Sequence, residues 1–230
     1  MAKALDHRVR VAALRREEMQ LHLLFSGLIL ASTNSIHALE VEDVIKQADV
    51  SRGSFYNYFP SLPALYDGLA KQLMQEFAGL INESIPQDLD TTTRLASTMR
   101  MLMRLVVDYP MLGRFLTQIQ WPNQNLDTEI FQNIIRDIQL GIKEGCFNNM
   151  PASIGANIAI GSLIGGIHTM LLKRPAKGFE DQVTNQVLIG LGIDAKSSSK
   201  ISRAPLPAKP TFPETGIFGK LAEMGALAKK

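Results

Sequence analysis

Residues 40–59 (EVEDVIKQADVSRGSFYNYF) contain two short helical patterns separated by one sharp turn. The first, over about 40–48, repeats apolar residues at helical spacing and begins with acidic residues, which the helix dipole favours at that end. Asp49 stands at the turn, and aspartate tolerates the left-handed backbone conformation better than most residues. Ser51 is suited to cap a second helix over about 52–58, because its hydroxyl can accept a hydrogen bond from a backbone N–H. The stretch therefore predicts a helix-turn-helix.

Helical phase divides the aromatic residues of the second helix into two sets. Phe55 and Phe59 lie four residues apart and share a face, which we expect to pack on Val44, Val50 and Leu65. The other face offers DNA-binding chemistry: arginine binds guanine and asparagine binds adenine, tyrosine hydroxyls reach phosphates, and small residues allow close approach. The candidate DNA-contacting residues are Lys46, Ser51, Arg52, Gly53, Ser54, Tyr56, Asn57 and Tyr58.

Apolar residues at helical spacing recur along the rest of the chain, and alternating strand patterns are absent. The predicted fold class is therefore all-α. Outside the helix-turn-helix we expect helices over about 10–33, 62–83, 92–108, 111–120, 126–145, 152–172 and 180–191, with prolines at or next to several of their ends.

The composition changes to Ser, Pro and Lys after residue 194. Over 195–215 this composition predicts a linker or disordered segment. A short helix is expected over 216–230, with Ile217, Phe218, Leu221 and Met224 on one side. The tail, residues 195–230, contains seven Lys or Arg and two Asp or Glu, although the whole chain carries a net charge of only +2. A partner attracted by charge would therefore meet the tail first.

Several protein classes lack support in the sequence. We find no glycine-rich phosphate loop, no metal-spaced Cys/His group and no HExxH or GxSxG motif, so we expect no enzyme activity, no cofactor and no metal. The lone Cys146 fits a reducing cytoplasm. No signal peptide pattern opens the chain, and the apolar run 23–31 is shorter than the ~20 residues of a membrane span. We therefore expect a soluble, cytoplasmic protein that does not bind membranes.

The segment VEDVIKQADVSRGSFYNYFPSLPAL resembles the DNA-binding region of TetR-type transcriptional regulators. The signature there is hydrophobic–Ser–x–Gly–Ser/Thr–aromatic or aliphatic–Tyr–x–x–Phe. The resemblance extends more loosely, through KEGCFNNMPASIGANIAIGSLIGGI, over about residues 10–193. It implies a sequence-specific regulator that binds a pseudo-palindromic operator of double-stranded DNA as a homodimer and responds to a small apolar effector. Repression is the expected sign of control, and activation is the alternative.

Three positions depart from the pattern of these regulators. Ile45 stands where a small residue is usual, and Asp49 stands where glycine is usual, which predicts altered spacing between the helices. Leu62 replaces a lysine that commonly contacts a phosphate. The loss of this lysine contact is expected to weaken slightly the affinity for DNA and the dependence of that affinity on salt concentration.

The resemblance implies a three-helix helix-turn-helix DNA-binding domain over 1–66 and a helical ligand-binding and dimerisation domain over 67–194, followed by the basic tail, 195–230. The last two helices of each subunit are expected to form the dimer interface as a four-helix bundle. Small residues would let helices approach there, and the candidates are Gly155, Ala159, Ser162 and Gly166. Alternatively, these small residues pack within one subunit.

Methionines and aromatic residues of the second domain could line an effector pocket, since methionine suits adaptable binding surfaces. The candidates are Met103, Arg104, Phe115, Trp121 and His168, of which Arg104 and His168 would orient the ligand. The alternative is that the apolar members form core. An alternative function is a helical adaptor whose DNA-binding-like domain and basic tail bind a protein partner.

Overall fold

The computed structural model describes residues 2–86, 88–119, 129–173, 175–207 and 211–227, and over these residues it is helical and contains no strand. The prediction of an all-α chain is confirmed. The helices are α1 (Ala2–Thr33), α2 (Val41–Ala48), α3 (Arg52–Tyr56), α4 (Leu62–Ser84), α5 (Thr91–Asp108), α6 (Pro110–Gln118), α7 (Glu129–Lys143), α8 (Ala152–Lys173), α9 (Phe179–Gly190), α10 (Ala195–Ser202) and α11 (Gly216–Leu227), with a 3-10 turn at Ile36–Ala38.

The chain divides into two compact units, of which the first comprises Met1–Phe77 with Phe212–Lys230 and the second comprises Ala78–Thr211. In the first unit, buried apolar side chains come from α1, α2, α3 and α4. Each large side chain buried in this way contributes roughly 1.5–3 kcal/mol. At Gly27 of α1 a Cβ atom would lie 2.5 Å from Leu65 of α4, so glycine permits the two helices to approach closely.

Helix α11 completes the first unit and confirms the expected helix near the end of the chain. It packs against α1, and its Ile217, Phe218 and Leu221 are buried, although Met224 is 41% exposed. The carboxylate of Glu76 on α4 accepts hydrogen bonds from the backbone N–H groups of Ile217 and Phe218, at 2.8 and 2.9 Å. This carboxylate therefore satisfies two of the N–H groups that a helix N-terminus leaves without partners.

The prediction of a linker directly after residue 194 is wrong for Ala195–Ser202, which form helix α10. Asp194 caps this helix by accepting hydrogen bonds from the N–H groups of Lys196 and Ser197, at 3.1 and 3.0 Å. Ser198 donates to the Asp194 carbonyl at 2.8 Å, so its hydroxyl is satisfied although it is fully buried. A serine-rich segment can therefore form a helix packed on α5 and α9, because its hydroxyls bond to its own backbone.

Helix α8 is the centre of the second unit and packs against α5, α6, α7 and α9. One core cluster in this unit consists of Met99, Ile138, Phe147, Ala159, Val187 and Leu191. Judged by length and composition alone, α8 is long enough and apolar enough to cross a membrane, and it is the one helix among the described residues for which this holds. Its packing among four neighbours is that of a core helix, but only 33% of its most apolar window is buried.

Candidate nucleic-acid interface

The turn between α2 and α3 is fixed by backbone geometry and by two side chains. Asp49 adopts φ 52° and ψ 50°, the left-handed conformation expected at this position. His22 of α1 donates from Nε2 to the carbonyl oxygen of Ala48 at 2.7 Å, which satisfies an acceptor at the end of α2. The hydroxyl of Ser51 accepts from the N–H of Ser54 at 3.1 Å and so caps α3, as the sequence predicts.

Helix α3 has the two-sided character that its sequence predicts. Phe55 is fully buried and Phe59 is 5% exposed, and their rings lie 6.2 Å apart. Helix α3 ends at Tyr56, earlier than predicted, because the N–H groups of Tyr58 and Phe59 both donate to the Phe55 carbonyl and close a final turn. The two phenylalanines thus anchor a helix that has barely more than one turn.

All eight candidate DNA-contacting residues are accessible. Lys46, Ser51, Arg52, Gly53, Tyr56 and Asn57 are exposed, and Ser54 and Tyr58 are half-buried. Ser51 and Ser54 also contact each other through their hydroxyl oxygens at 2.9 Å. The guanidinium of Arg16 on α1 lies 5.7 Å from the centre of the Tyr58 ring, so a cation–π contact holds this ring against α1.

Arg52 is engaged by two neighbours on this surface. Its Nη1 lies 2.7 Å from Oε1 of Glu42 on α2, and its guanidinium carbon lies 5.8 Å from the centre of the Tyr56 ring. The hydrogen bond to Tyr56 and the nearby Glu42 carboxylate raise the pKa of Arg52 above its ordinary value. The guanidinium of Arg52 therefore lies between the Glu42 carboxylate and the Tyr56 ring in the DNA-free protein.

Sequence reasoning missed the roles of Glu42 and His22. An acidic residue in the first turn of α2 is explained by the helix dipole alone, so nothing local indicates that Glu42 reaches Arg52 across the turn. The bond from His22 to Ala48 spans 26 residues. Such a contact depends on how α1 and α2 cross, which periodicity does not specify.

The candidate effector residues occupy different surroundings. Met103 and Phe115 are fully buried, whereas Arg104 and His168 are exposed. Trp121 lies outside the described residues. Arg104 pairs with Glu180 of α9 at 2.9 Å, beside the buried Arg100, which binds Asp181 at 2.7 Å. These carboxylates engage Arg104 within the unit, so the predicted role of Arg104 in orienting a ligand remains a prediction.

One described cleft of about 410 Å³ lies beside these ion pairs, since Asp181 is part of its lining, and it is open to solvent. It has a largely polar lining, which includes Lys177, Asp181, Asn185 and Arg203. None of the candidate effector residues lines it.

The candidate dimer residues on α8 mostly face inward. A Cβ atom at Gly155 would lie 2.7 Å from Ile138, and one at Gly166 would lie 3.2 Å from Met103. Ala159 is 4% exposed and belongs to the core of the same subunit, and Ser162 is half-buried. For Gly155, Ala159 and Gly166 the structure thus shows packing within one subunit, the alternative that the sequence left open.

The outward stripe of α8 follows the spacing of one helical face and consists of Ile154, Asn157, Gly161, Gly165, His168 and Leu172, all exposed. A Cβ atom at Gly161 or Gly165 would meet nothing within 4 Å. Ile154 and Leu172 are 50% and 68% exposed. Small residues occur on both faces of α8, so their presence alone does not distinguish the inner face from the outer one.

Two family models match the chain. The model described as "Bacterial regulatory proteins, tetR family" covers residues 24–68, which include the helix-turn-helix. The model described as "Tetracyclin repressor-like, C-terminal domain" covers residues 90–204, half of the chain, and this range includes α10.

Solved structures share the fold at low sequence identity. RolR in complex with resorcinol has a TM-score of 0.68 and 22% identity, covering 86% of this chain and 99% of RolR. A putative tetR family regulator from Shewanella sp. PV-4 has a TM-score of 0.67 and 17% identity, covering 76% of this chain and 99% of its own. FadR from Bacillus subtilis in complex with stearoyl-CoA has a TM-score of 0.57 and 20% identity, covering 75% of this chain and 98% of FadR.

Curated relatives match part of the sequence. The nucleoid occlusion factor SlmA of Aliivibrio fischeri is 25% identical over 118 residues, which are 50% of this chain and 60% of that protein. SlmA of Actinobacillus pleuropneumoniae is 28% identical over 104 residues, which are 45% of this chain and 48% of that protein. The match thus spans about half the length of these relatives.

Proposed function

Since the chain belongs to the TetR family of bacterial regulatory proteins, we propose that it is a ligand-responsive repressor that binds a pseudo-palindromic DNA operator as a homodimer. The observation that carries this proposal is helix α3 with the turn that follows it, residues 52–59, in which the buried Phe55 and Phe59 support an accessible polar face. That face holds an arginine, an asparagine and two tyrosines, the side chains that contact base edges and phosphates.

The outward stripe of α8 supports the dimer. Its apolar ends, Ile154 and Leu172, are exposed, and the glycines between them leave room for a second helix to approach. A second copy of the chain is the occupant that a pseudo-palindromic operator requires, because two α3 helices must enter major grooves ~34–36 Å apart. We therefore assign the interface to this stripe, with Ser162 at its edge, rather than to Gly155, Ala159 and Gly166.

Response to an effector follows if the ligand binds one conformation of the dimer better than the other. The shift in DNA affinity can be no larger than this difference in ligand affinity. A small effector is supported by solved structures that share the fold, which include RolR in complex with resorcinol and FadR in complex with stearoyl-CoA.

DNA binding is tested by fluorescence anisotropy with duplexes from the region upstream of the protein's own gene. We expect specific, salt-sensitive binding by a dimer. The double substitution Tyr56→Ala with Asn57→Ala should abolish operator binding but preserve helix content and dimerisation. Gln75→Ala, at an exposed position of α4, is the matched control and should bind normally. Failure of the native protein to bind any duplex at low salt would overturn the proposal and favour the adaptor.

The dimer assignment is tested by sedimentation of a double variant, Ile154→Glu with Leu172→Glu. Two carboxylates on the outward stripe should produce monomers at concentrations where the native protein is dimeric, because burying unpaired charges is costly. Val107→Glu, on an exposed position of α5, is the control and should remain dimeric. A dimer that survives the double substitution would place the interface elsewhere.

A further inference from the structure

Helix α2, the turn and helix α3 form a surface that is poor in positive charge. Residues 40–59 contain four acidic residues, Glu40, Glu42, Asp43 and Asp49, and two basic residues, Lys46 and Arg52. Attraction to phosphates supplies most of the affinity of a protein for non-specific DNA. A surface with this charge balance would therefore be weakly attracted to DNA, and the state of Arg52 strongly affects that attraction.

Glu42 neutralises Arg52 in the DNA-free protein. The two side chains form an ion pair with 2.7 Å between Nη1 and Oε1, and both remain well exposed, at 67% for Arg52 and 54% for Glu42. An exposed ion pair of this kind is weak, so a better partner can replace Glu42. A phosphate or the O6 and N7 atoms of guanine would be such a partner, because each can accept two hydrogen bonds from a guanidinium.

We propose that Glu42 lowers the affinity of the protein for DNA by competing with DNA for Arg52. On binding, Arg52 exchanges the Glu42 carboxylate for an acceptor on the duplex, and Glu42 is left as an unpaired negative charge near the phosphates. Tyr56, against which the guanidinium packs, keeps Arg52 at the surface in the free protein. The inference rests on the proposed DNA binding and assigns to Glu42 a role that the family signature does not include.

The test compares Glu42→Gln with the native protein on a mixed-sequence duplex long enough for two half-sites. Glutamine keeps the size of the side chain and removes its charge, so Arg52 becomes free to bind DNA. We expect affinity to rise about two- to fivefold, the range of a weak surface ion pair. The slope of log affinity against log salt should change by less than one per subunit, because Arg52 makes the same contact with the duplex in both proteins.

Two further variants separate competition from general repulsion. Glu83→Gln, at an exposed position of α4, makes the same change in net charge and should have a much smaller effect. In an Arg52→Gln background, Glu42→Gln should lose most of its effect, because no guanidinium remains to be released. An equal gain with and without Arg52 would show simple repulsion and overturn the proposal.

A fall in affinity on Glu42→Gln would also overturn the proposal, since it would show that Glu42 orients Arg52 for DNA. These outcomes are distinct from failure of the proposed function, in which the native protein and every variant leave the duplex unbound. Circular dichroism of each variant checks that helix content is unchanged.

Discussion

Helices α3 and α11 both belong to the first unit, and both begin where a side chain accepts hydrogen bonds from backbone N–H groups. For α3 the acceptor is Ser51, three residues before the Ser54 N–H that it binds. For α11 the acceptor is Glu76, which lies 141 residues before Ile217. The first contact can form in an isolated segment of chain. The second forms only when α4 and the end of the chain have met.

The difference separates two kinds of stability within one unit. A local cap stabilises its helix whatever surrounds it, whereas the Glu76 contact joins the stability of α11 to that of α1 and α4. Three predictions test this distinction and a fourth applies it to a local cap in the second unit, in order from the largest expected effect to the smallest.

The largest effects are expected from Phe55→Ala and Phe218→Ala. Both rings are buried, at 0% and 2% exposure, so each truncation should lower the free energy of unfolding of the first unit by about 3–5 kcal/mol. Hydrogen exchange at the backbone amides of α1 would measure both effects, with Val107→Ala on α5 as an exposed control. If α11 were an independent appendage, Phe218→Ala would leave exchange in α1 unchanged.

Glu76→Ala should cost about 2–3 kcal/mol, because two backbone N–H groups of α11 lose a charged acceptor. The expected signature is faster hydrogen exchange at Ile217 and Phe218. Glu76→Gln keeps one acceptor oxygen and should recover part of the protection. Gln72→Ala, which removes only the hydrogen bond that Gln72 donates to Glu76, should have a smaller effect. Equal exchange in all three variants would rule out capping by Glu76.

Ser51→Ala should cost about 1 kcal/mol, the usual value of an N-cap. The loss should be confined to α3 and should appear as faster exchange of the Ser54 amide. Ser51→Asn supplies another capping side chain and should retain most of the stability. A destabilisation that spread to α11 would contradict the local character of this cap.

The smallest effect concerns Asp194, a local cap on α10. Hydrogen bonds from the side chain and backbone of Ser197, and a further one from the Lys196 backbone, lower the pKa of Asp194. The ionised form of Asp194 is thus favoured in the folded state. The stability that the ionised carboxylate contributes is complete above the pKa that Asp194 has in the unfolded chain, and it is lost as the pH falls through the lower pKa of the folded state. Exchange of the Ser197 amide should accelerate over that acidic range, and Asp194→Asn should abolish the pH dependence.

Much of the fold and of the candidate interface was predictable because it depends on short-range patterns. Helical phase identified Phe55 and Phe59 as core, and the capping chemistry of Ser51 and the turn at Asp49 are local properties of the chain. Glu76 and His22 were not predictable, because their partners lie far along the sequence. The faces of α8 could not be told apart, since glycine and alanine occur on both. Helix α10 was missed because its serines favour a linker unless their hydroxyls bond to the backbone.

The place of α11 in the first unit has a consequence for synthesis on the ribosome. Domains usually fold in the order in which they emerge, at roughly 5–20 residues per second. Here the second unit can assemble while the first still lacks α11, so the first unit would be completed after the second, on the order of ten seconds after its first helices have emerged. A nascent chain paused before α11 would expose the surface of α1 against which α11 later packs.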